Sequence, residues 1–177
     1  MATQRDYEHY IAEILRELGI TATVSESSSM PLFREAVELE LIEADIYGRD
    51  QRLAPIAAGR WRAMRQAAER QDVILKLVSG FRSVDYQIGI WKRKLASGQS
   101  IQQILKVSAP PGYSEHHTGR AVDVTSTEAE PLTEAFEHTE AFKWLSNYAG
   151  DFGFSMTYPR GNRHGVTFEP WHWCFHG

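Results

Sequence analysis

Near the end of this 177-residue chain stands Glu169-Pro170-Trp171-His172, and well before it stands Ser114-Glu115-His116-His117-Thr118-Gly119-Arg120-Ala121-Val122-Asp123. Catalytic zinc usually takes three protein ligands drawn from His, Asp or Glu and keeps a position open for water. His116, Asp123 and His172 supply such a set. Glu169, close to His172 in sequence, could take a proton from water at the metal and later pass it to a leaving amine. Gly119 allows a sharp turn between the first two donors. Ala121 shares a strand face with Asp123, so its small side chain leaves room for an ion. The pieces are not arranged as the helical H-E-x-x-H motif, and strands and loops are expected to carry them. The chemistry in outline is hydrolysis at one zinc ion per chain.

Arg82 follows an apolar run in Ser79-Gly80-Phe81-Arg82-Ser83, where the chain should leave a sheet and enter a helix. A guanidinium there could stabilise the oxyanion of a tetrahedral intermediate or hold a substrate carboxylate. Gln87, about one turn further, could point the same way. His9, His138, His164 and His176 read as surface or structural residues, and His117 as the one nearest the site, either supporting a ligand or standing as a reserve donor. Cys174 shares a strand face with His172 and reads as a buried, inert thiol in preference to a fourth ligand.

Positioning these groups takes a mixed set of elements. Tyr7, Tyr10, Ile11, Ile14, Leu15 and Leu18 repeat with helical spacing up to Gly19. Residues 21–31, rich in Ser and Thr, read as a linker. Alternation at Val37, Leu39 and Leu41 predicts a strand, and Pro55 opens a helix with Ile56, Trp61, Met64 and Ala68 on one side. The run from Val73 to Val78 predicts a buried strand. Ser83 caps a helix facing inward through Val84, Ile88, Trp91 and Leu95. Residues 120–125 predict a strand, and 139–149 a helix with Phe142, Leu145 and Tyr148 inward. Strands are expected at 154–158 and 171–175. Helices and strands mix without a βαβ repeat, so the expected class is α+β. The expected division is a helix and linker over 1–34 and a catalytic domain over 35–177.

Bulk properties agree with one soluble domain: 42% hydrophobic and 24% charged residues. A net charge of −4 argues against nucleic acid as a main partner. Lys92-Arg93-Lys94 reads as the solvated end of a helix. One cysteine excludes an intrachain disulfide. No stretch is long and apolar enough to span a membrane. Met1 to Asp6 lack the layout of a secretory signal, so a cytoplasmic protein is expected, or a periplasmic or wall-facing one if a leader has been removed; a monomer is expected in either case.

Ser114-x-His116-x-x-Gly119-x-Ala121-x-Asp123 followed by Glu169-x-x-His172 resembles the signature of zinc D-alanyl-D-alanine carboxypeptidases of the VanY type. Their wider group includes VanX-type dipeptidases, L,D-carboxypeptidases, phage endolysins and the hedgehog signalling domain. The wording of Ser79 to Ser83, Gln87, Pro111 to His116 and Glu169 to Trp173 is also similar, and the likeness runs over residues 35–177. The resemblance implies a small α+β domain with a mainly antiparallel sheet carrying zinc on His116, Asp123 and His172. It implies a base at Glu169 and transition-state or substrate contacts from Arg82, with Gln87, Tyr113, Ser114 and Trp171 lining a peptide pocket. The implied partner is a peptidoglycan-derived peptide. The implied activity is removal of a terminal D-amino acid, with L,D-carboxypeptidase, dipeptidase and phage-type endopeptidase as alternatives. A hedgehog-like binding module is the non-enzymatic one.

Overall fold

The N-terminal periodicity forms helix α1 (Gln4–Glu17) in the computed structural model, which describes residues 3–20 and 30–177. Thr3 and Asp6 close a capping box at its start. Ile11, Ile14, Leu15 and Leu18 pack with Ile20 against Val84, Trp91 and Ile104 to make a second, smaller core. The expected linker lies outside the described residues except for Met30, which is buried, and Pro31.

Strands β1 (Glu40–Ala44) and β2 (Asp50–Leu53) form an antiparallel hairpin. The strand expected through Val37, Leu39 and Leu41 starts only at Glu40, and Val37 is 96% exposed. Before Glu40 the chain does not pair in a ladder. The Ala36 amide instead donates to the His117 carbonyl at 2.8 Å, so this segment braces the site loop. Asp45 holds the hairpin turn by accepting from the amides of Tyr47 and Arg49 and from the side chains of Arg49 and Gln51.

Helix α2 (Pro55–Glu69) buries Ala57, Ala58, Trp61, Met64 and Ala68, whereas Ile56, expected inward, is 67% exposed. Strand β3 (Lys76–Ser79) is shorter than the apolar run. The Val73 amide still donates to the Ala68 carbonyl, and Asp72 takes a left-handed φ of 58°, so residues 73–75 form the helix exit. Helix α3 (Val84–Ala96) starts at the Ser83 cap, with the Tyr86 amide donating to the Ser83 hydroxyl. A short helix α4 (Ile101–Leu105) follows, its start fixed by a Ser100–Gln103 capping box.

β4 (Ala121–Thr125), β5 (Phe154–Met156) and β6 (His172–Phe175) complete a four-stranded antiparallel sheet in the order β3-β4-β6-β5. One face carries Val122, Val124, Trp173 and Phe175 into the main core with α2 and α5 (Glu140–Tyr148). Helix α5 is rotated from expectation. Ala141, Trp144 and Leu145 are buried, Phe142 is partly buried, and Tyr148 is 40% exposed. The larger Trp144 ring takes the inward position, and Tyr148 rests on it at 5.2 Å between centroids. The class is α+β. Among the described residues no helix is long and apolar enough to cross a membrane.

Candidate active site

The sheet face opposite the main core carries the chemistry. Asp123 on β4 pairs directly with His172 on β6, so their side chains project side by side from one face. Ala121 pairs with Cys174 on that same face. His116 arrives from a 3-10 turn over Glu115–Thr118 that Gly119 ends with a φ of 64°. A Cβ at Gly119 would meet the Ala54 nitrogen at 2.8 Å, so the left-handed turn and the tight approach to the start of α2 both demand glycine.

His116, Asp123 and His172 are all buried, with donor atoms within 4.8 Å of one another. His116 Nε2 lies 3.3 Å from Asp123 Oδ1, and His172 Nδ1 lies 3.1 Å from the same oxygen. Four-coordinate zinc with bonds of ~2.05 Å sets its donors about 3.3 Å apart. His116 Nε2 is buried without a hydrogen-bond partner, which a metal ligand should be. The donor set fits a zinc ion.

Hydrogen bonds select the nitrogen each histidine presents. His116 Nδ1 donates to the Gly80 carbonyl at 2.6 Å, leaving Nε2 as the free lone pair. His117 uses both nitrogens elsewhere: Nδ1 donates to the Arg82 carbonyl at 2.6 Å, and Nε2 accepts from the Gly112 amide at 3.1 Å. It is a strut for the Arg82 backbone and has no lone pair to spare. The adjacent histidines thus grip two carbonyls of the strand-to-helix segment that carries Arg82.

Glu169 and His172 are the ends of a β-turn. The His172 amide donates to the Glu169 carbonyl at 3.1 Å, and Pro170 takes the position that its fixed φ favours. That turn explains the three-residue spacing without a helix. Burial, with added repulsion from Asp123, pushes the Glu169 carboxyl up to about 7, against the pull of His172, Arg82 and Lys94. Burial also pushes His116 down to about 4. For His172 burial works downward, but hydrogen bonds to Asp123 and Glu115 more than reverse it and hold the imidazole up at about 10. Asp123 is held well below the carboxylate range because His116, His172 and Arg82 outweigh its burial.

A pocket of about 250 Å³ opens over these groups. Arg82, Gln87, Ser114, Glu169 and Trp171 line it together with His116, Asp123 and His172. Arg82 Nη2 stands 3.8 Å from Asp123 Oδ2, and its buried Nε has no partner. Gln87 donates to Ser108 Oγ and the Ala109 carbonyl, fixing one wall, while its buried Oε1 is also unpaired.

Tyr113 is not brought into this pocket. Its ring packs between the second core and a small cluster of Met30, Tyr158 and Val166. Lys94 and Tyr158 line the pocket without having been anticipated. Lys94 stands two helical turns beyond Gln87 on the same face, and that spacing was the available signal. Cys174 stays outside the zinc donor set and groups with Glu115 and His176, whose ligand atoms also come within 4.8 Å.

A family model described as VanY, D-alanyl-D-alanine carboxypeptidase, matches residues 50–177. The putative carboxypeptidase YodJ of Bacillus subtilis (strain 168) is 37% identical over 120 residues, covering 66% of this chain and 43% of YodJ. The chain therefore spans under half the length of that relative. The solved structure of the LdcB LD-carboxypeptidase superposes with a TM-score of 0.73 at 30% identity, covering 83% of this chain and 72% of that one. A vancomycin-resistance D,D-pentapeptidase VanY, solved in complex with Zn(II), superposes with a TM-score of 0.61 at 27% identity, covering 79% and 80%.

Proposed function

The chain belongs to the VanY family of D-alanyl-D-alanine carboxypeptidases, and from that premise we propose that it is a zinc metallopeptidase that removes the C-terminal D-amino acid from peptidoglycan stem peptides or muropeptides. One observation carries the reading: three buried donors converge at zinc spacing, with Glu169 and an unpaired Arg82 Nε on the walls of the same pocket. His116, Asp123 and His172 would hold the ion. When bound, zinc supplies Lewis acidity, polarising a carbonyl and lowering the pKa of water towards neutrality.

Glu169, with a pKa pushed up to about 7, suits a two-way proton carrier. It takes the proton of the attacking water as the new C–O bond forms. Arg82 donates to the oxyanion that develops on the scissile carbonyl. Glu169 then hands the proton to the amine nitrogen as the C–N bond breaks, releasing the D-amino acid and a peptide shortened by one residue. Gln87, Ser114 and Trp171 border the space that the end of a peptide would fill. At about 250 Å³ that space lies just below the range of ~300–1,000 Å³ typical of small-molecule sites.

The likeness to LdcB favours a second reading, hydrolysis of an L,D bond by the same residues. Incubation with defined tri-, tetra- and pentapeptide stems, read by mass spectrometry alongside zinc content, separates the two. Loss of the terminal D-residue from a pentapeptide supports the first, and loss from a tetrapeptide the second. A zinc-loaded protein that cleaves no stem refutes both.

A further inference from the structure

We infer that Glu115 is the positioning residue that fixes which nitrogen of His172 faces the metal. This rests on the zinc reading of His116, Asp123 and His172. The imidazole of His172 is held at both nitrogens. On one side Nδ1 faces Asp123 Oδ1 at 3.1 Å, and on the other Nε2 meets Glu115 Oε2 at 2.8 Å. A carboxylate oxygen only accepts, and Asp123 is itself one of the three metal-facing donors, so once the imidazole gives up its second proton to bind zinc, Glu115 would keep the proton on Nε2 and leave Nδ1 for the metal. The opposite holds at His116, where the Gly80 carbonyl takes the Nδ1 proton and Nε2 is presented. The two histidines therefore offer different nitrogens to one point, and Glu115 sets the choice at the second.

Glu115 is itself fixed. Only 7% exposed, it sits in the turn that carries His116, and the Thr157 hydroxyl donates to the same Oε2 at 2.7 Å. A buried carboxylate is costly unless hydrogen-bonded, and these two donors meet that need. The three partners come from separate parts of the chain: the turn before β4, the segment after β5, and β6. A carboxylate behind a ligating imidazole also makes the opposite nitrogen a stronger donor. Tyr158 lies against the ring at 4.9 Å between centroids and limits its rotation, but it does not choose between the nitrogens.

The test is zinc affinity by chelator competition for wild type, Glu115→Met and Glu115→Gln, with ring ¹⁵N shifts of His172 as the second readout. Glu115→Met should weaken zinc about 10–100-fold, the usual cost of losing such a partner. In the zinc-loaded protein it should also replace the single Nε2–H form of His172 with a mixture. Glu115→Gln keeps an acceptor oxygen and should recover most of the affinity and the tautomer, and this contrast with the similarly sized Met is what a purely space-filling role would not predict. Thr157→Val, which removes one support of Glu115 and conserves volume, should give a smaller loss in the same direction even if Glu115→Met fails to fold. Unchanged affinity and tautomer in Glu115→Met, or in Thr157→Val should that variant alone fold, overturn the inference. So does a fall in zinc stoichiometry at unchanged affinity, which would make Glu115 a direct ligand alongside Cys174 and His176. Failure of wild type to bind zinc would instead overturn the reading of the site itself.

Discussion

Gly80→Ala should damage the metal site without touching a metal donor. A Cβ on Gly80 would lie 2.8 Å from the Arg52 carbonyl oxygen, which is backbone and cannot swing aside. Restoring an ordinary contact needs a displacement of about 0.6 Å, comparable to the one-methylene insertions that cost about 1–3 kcal/mol in packed interiors. For a chain of this size that lowers the melting temperature by about 2–12 °C. The same shift moves the Gly80 carbonyl, which accepts from His116 Nδ1 at 2.6 Å, and stretches that bond towards the ~3.2 Å limit of a good hydrogen bond. It also strains the neighbouring 2.9 Å bond from the Phe81 amide to Arg52. Loss of such a support typically weakens metal binding about 10–100-fold. Thermal unfolding of chelator-treated protein reads the first effect, and zinc competition reads the second. Gly59→Ala is the control, because a Cβ there meets nothing within 4 Å and the position is helical. A Gly80→Ala protein with wild-type melting and wild-type zinc affinity would refute the packing argument. Lower melting with full zinc affinity would refute the role given to the His116–Gly80 bond.

Glu169→Gln should retain zinc and lose about 10²–10⁴-fold in kcat, since the amide cannot carry a proton; steady-state rates on the best-cleaved stem check this. Arg82→Lys should lower kcat by about 10²–10³-fold with a smaller change in KM, because an ammonium cannot reproduce the planar donor pair. A variant unchanged in both constants would make Arg82 a bystander. Zinc binding should also displace a proton from His172. Its imidazole, held up at about 10 by Asp123 and Glu115, is charged at pH 6, whereas His116, pushed down to about 4, is already neutral. Zinc affinity should therefore weaken as pH falls below 10. Calorimetry of the Glu169→Gln variant at pH 6, in buffers of different ionisation enthalpy, should find about one proton released per zinc. Zero release would contradict the charge state assigned to His172.

Much of the candidate site was legible because the residues that converge there lie in short, punctuated motifs. The pairing that joins them was not. Nothing in the spacing of Asp123 and His172 reveals that they are cross-strand neighbours, since the 48 residues between them could return along many paths. Glu115 carries no signal of its own in the sequence: on a strand it would point away from its neighbour His116, whereas the 3-10 turn leaves both able to reach His172's surroundings. Lys94 was read with its basic neighbours as solvated, although the helical repeat from Gln87 carries it to the pocket. Tyr113 failed in the other direction, being adjacent in sequence to Ser114 but packed into the apolar clusters beside the pocket and not into its lining. For α5 the apolar residues encircle enough of the helix that periodicity alone did not choose between Trp144 and Tyr148.

Helix α1 lies outside the stretch matched by the family model, yet its Ile11 sits directly against Gly112, where a Cβ would meet its Cγ2 at 2.8 Å. The Gly112 carbonyl in turn receives the Phe33 amide, and its own amide donates to His117. The stretch that the family model matches is thus shorter than the stretch that packs together around the site. It begins at residue 50, the first residue of β2, so its boundary divides a hairpin. A chimera spliced there would carry His116, Asp123 and His172 into its new host while leaving β2 without its partner strand and the apolar sides of Trp91 and Ile104 without a cover.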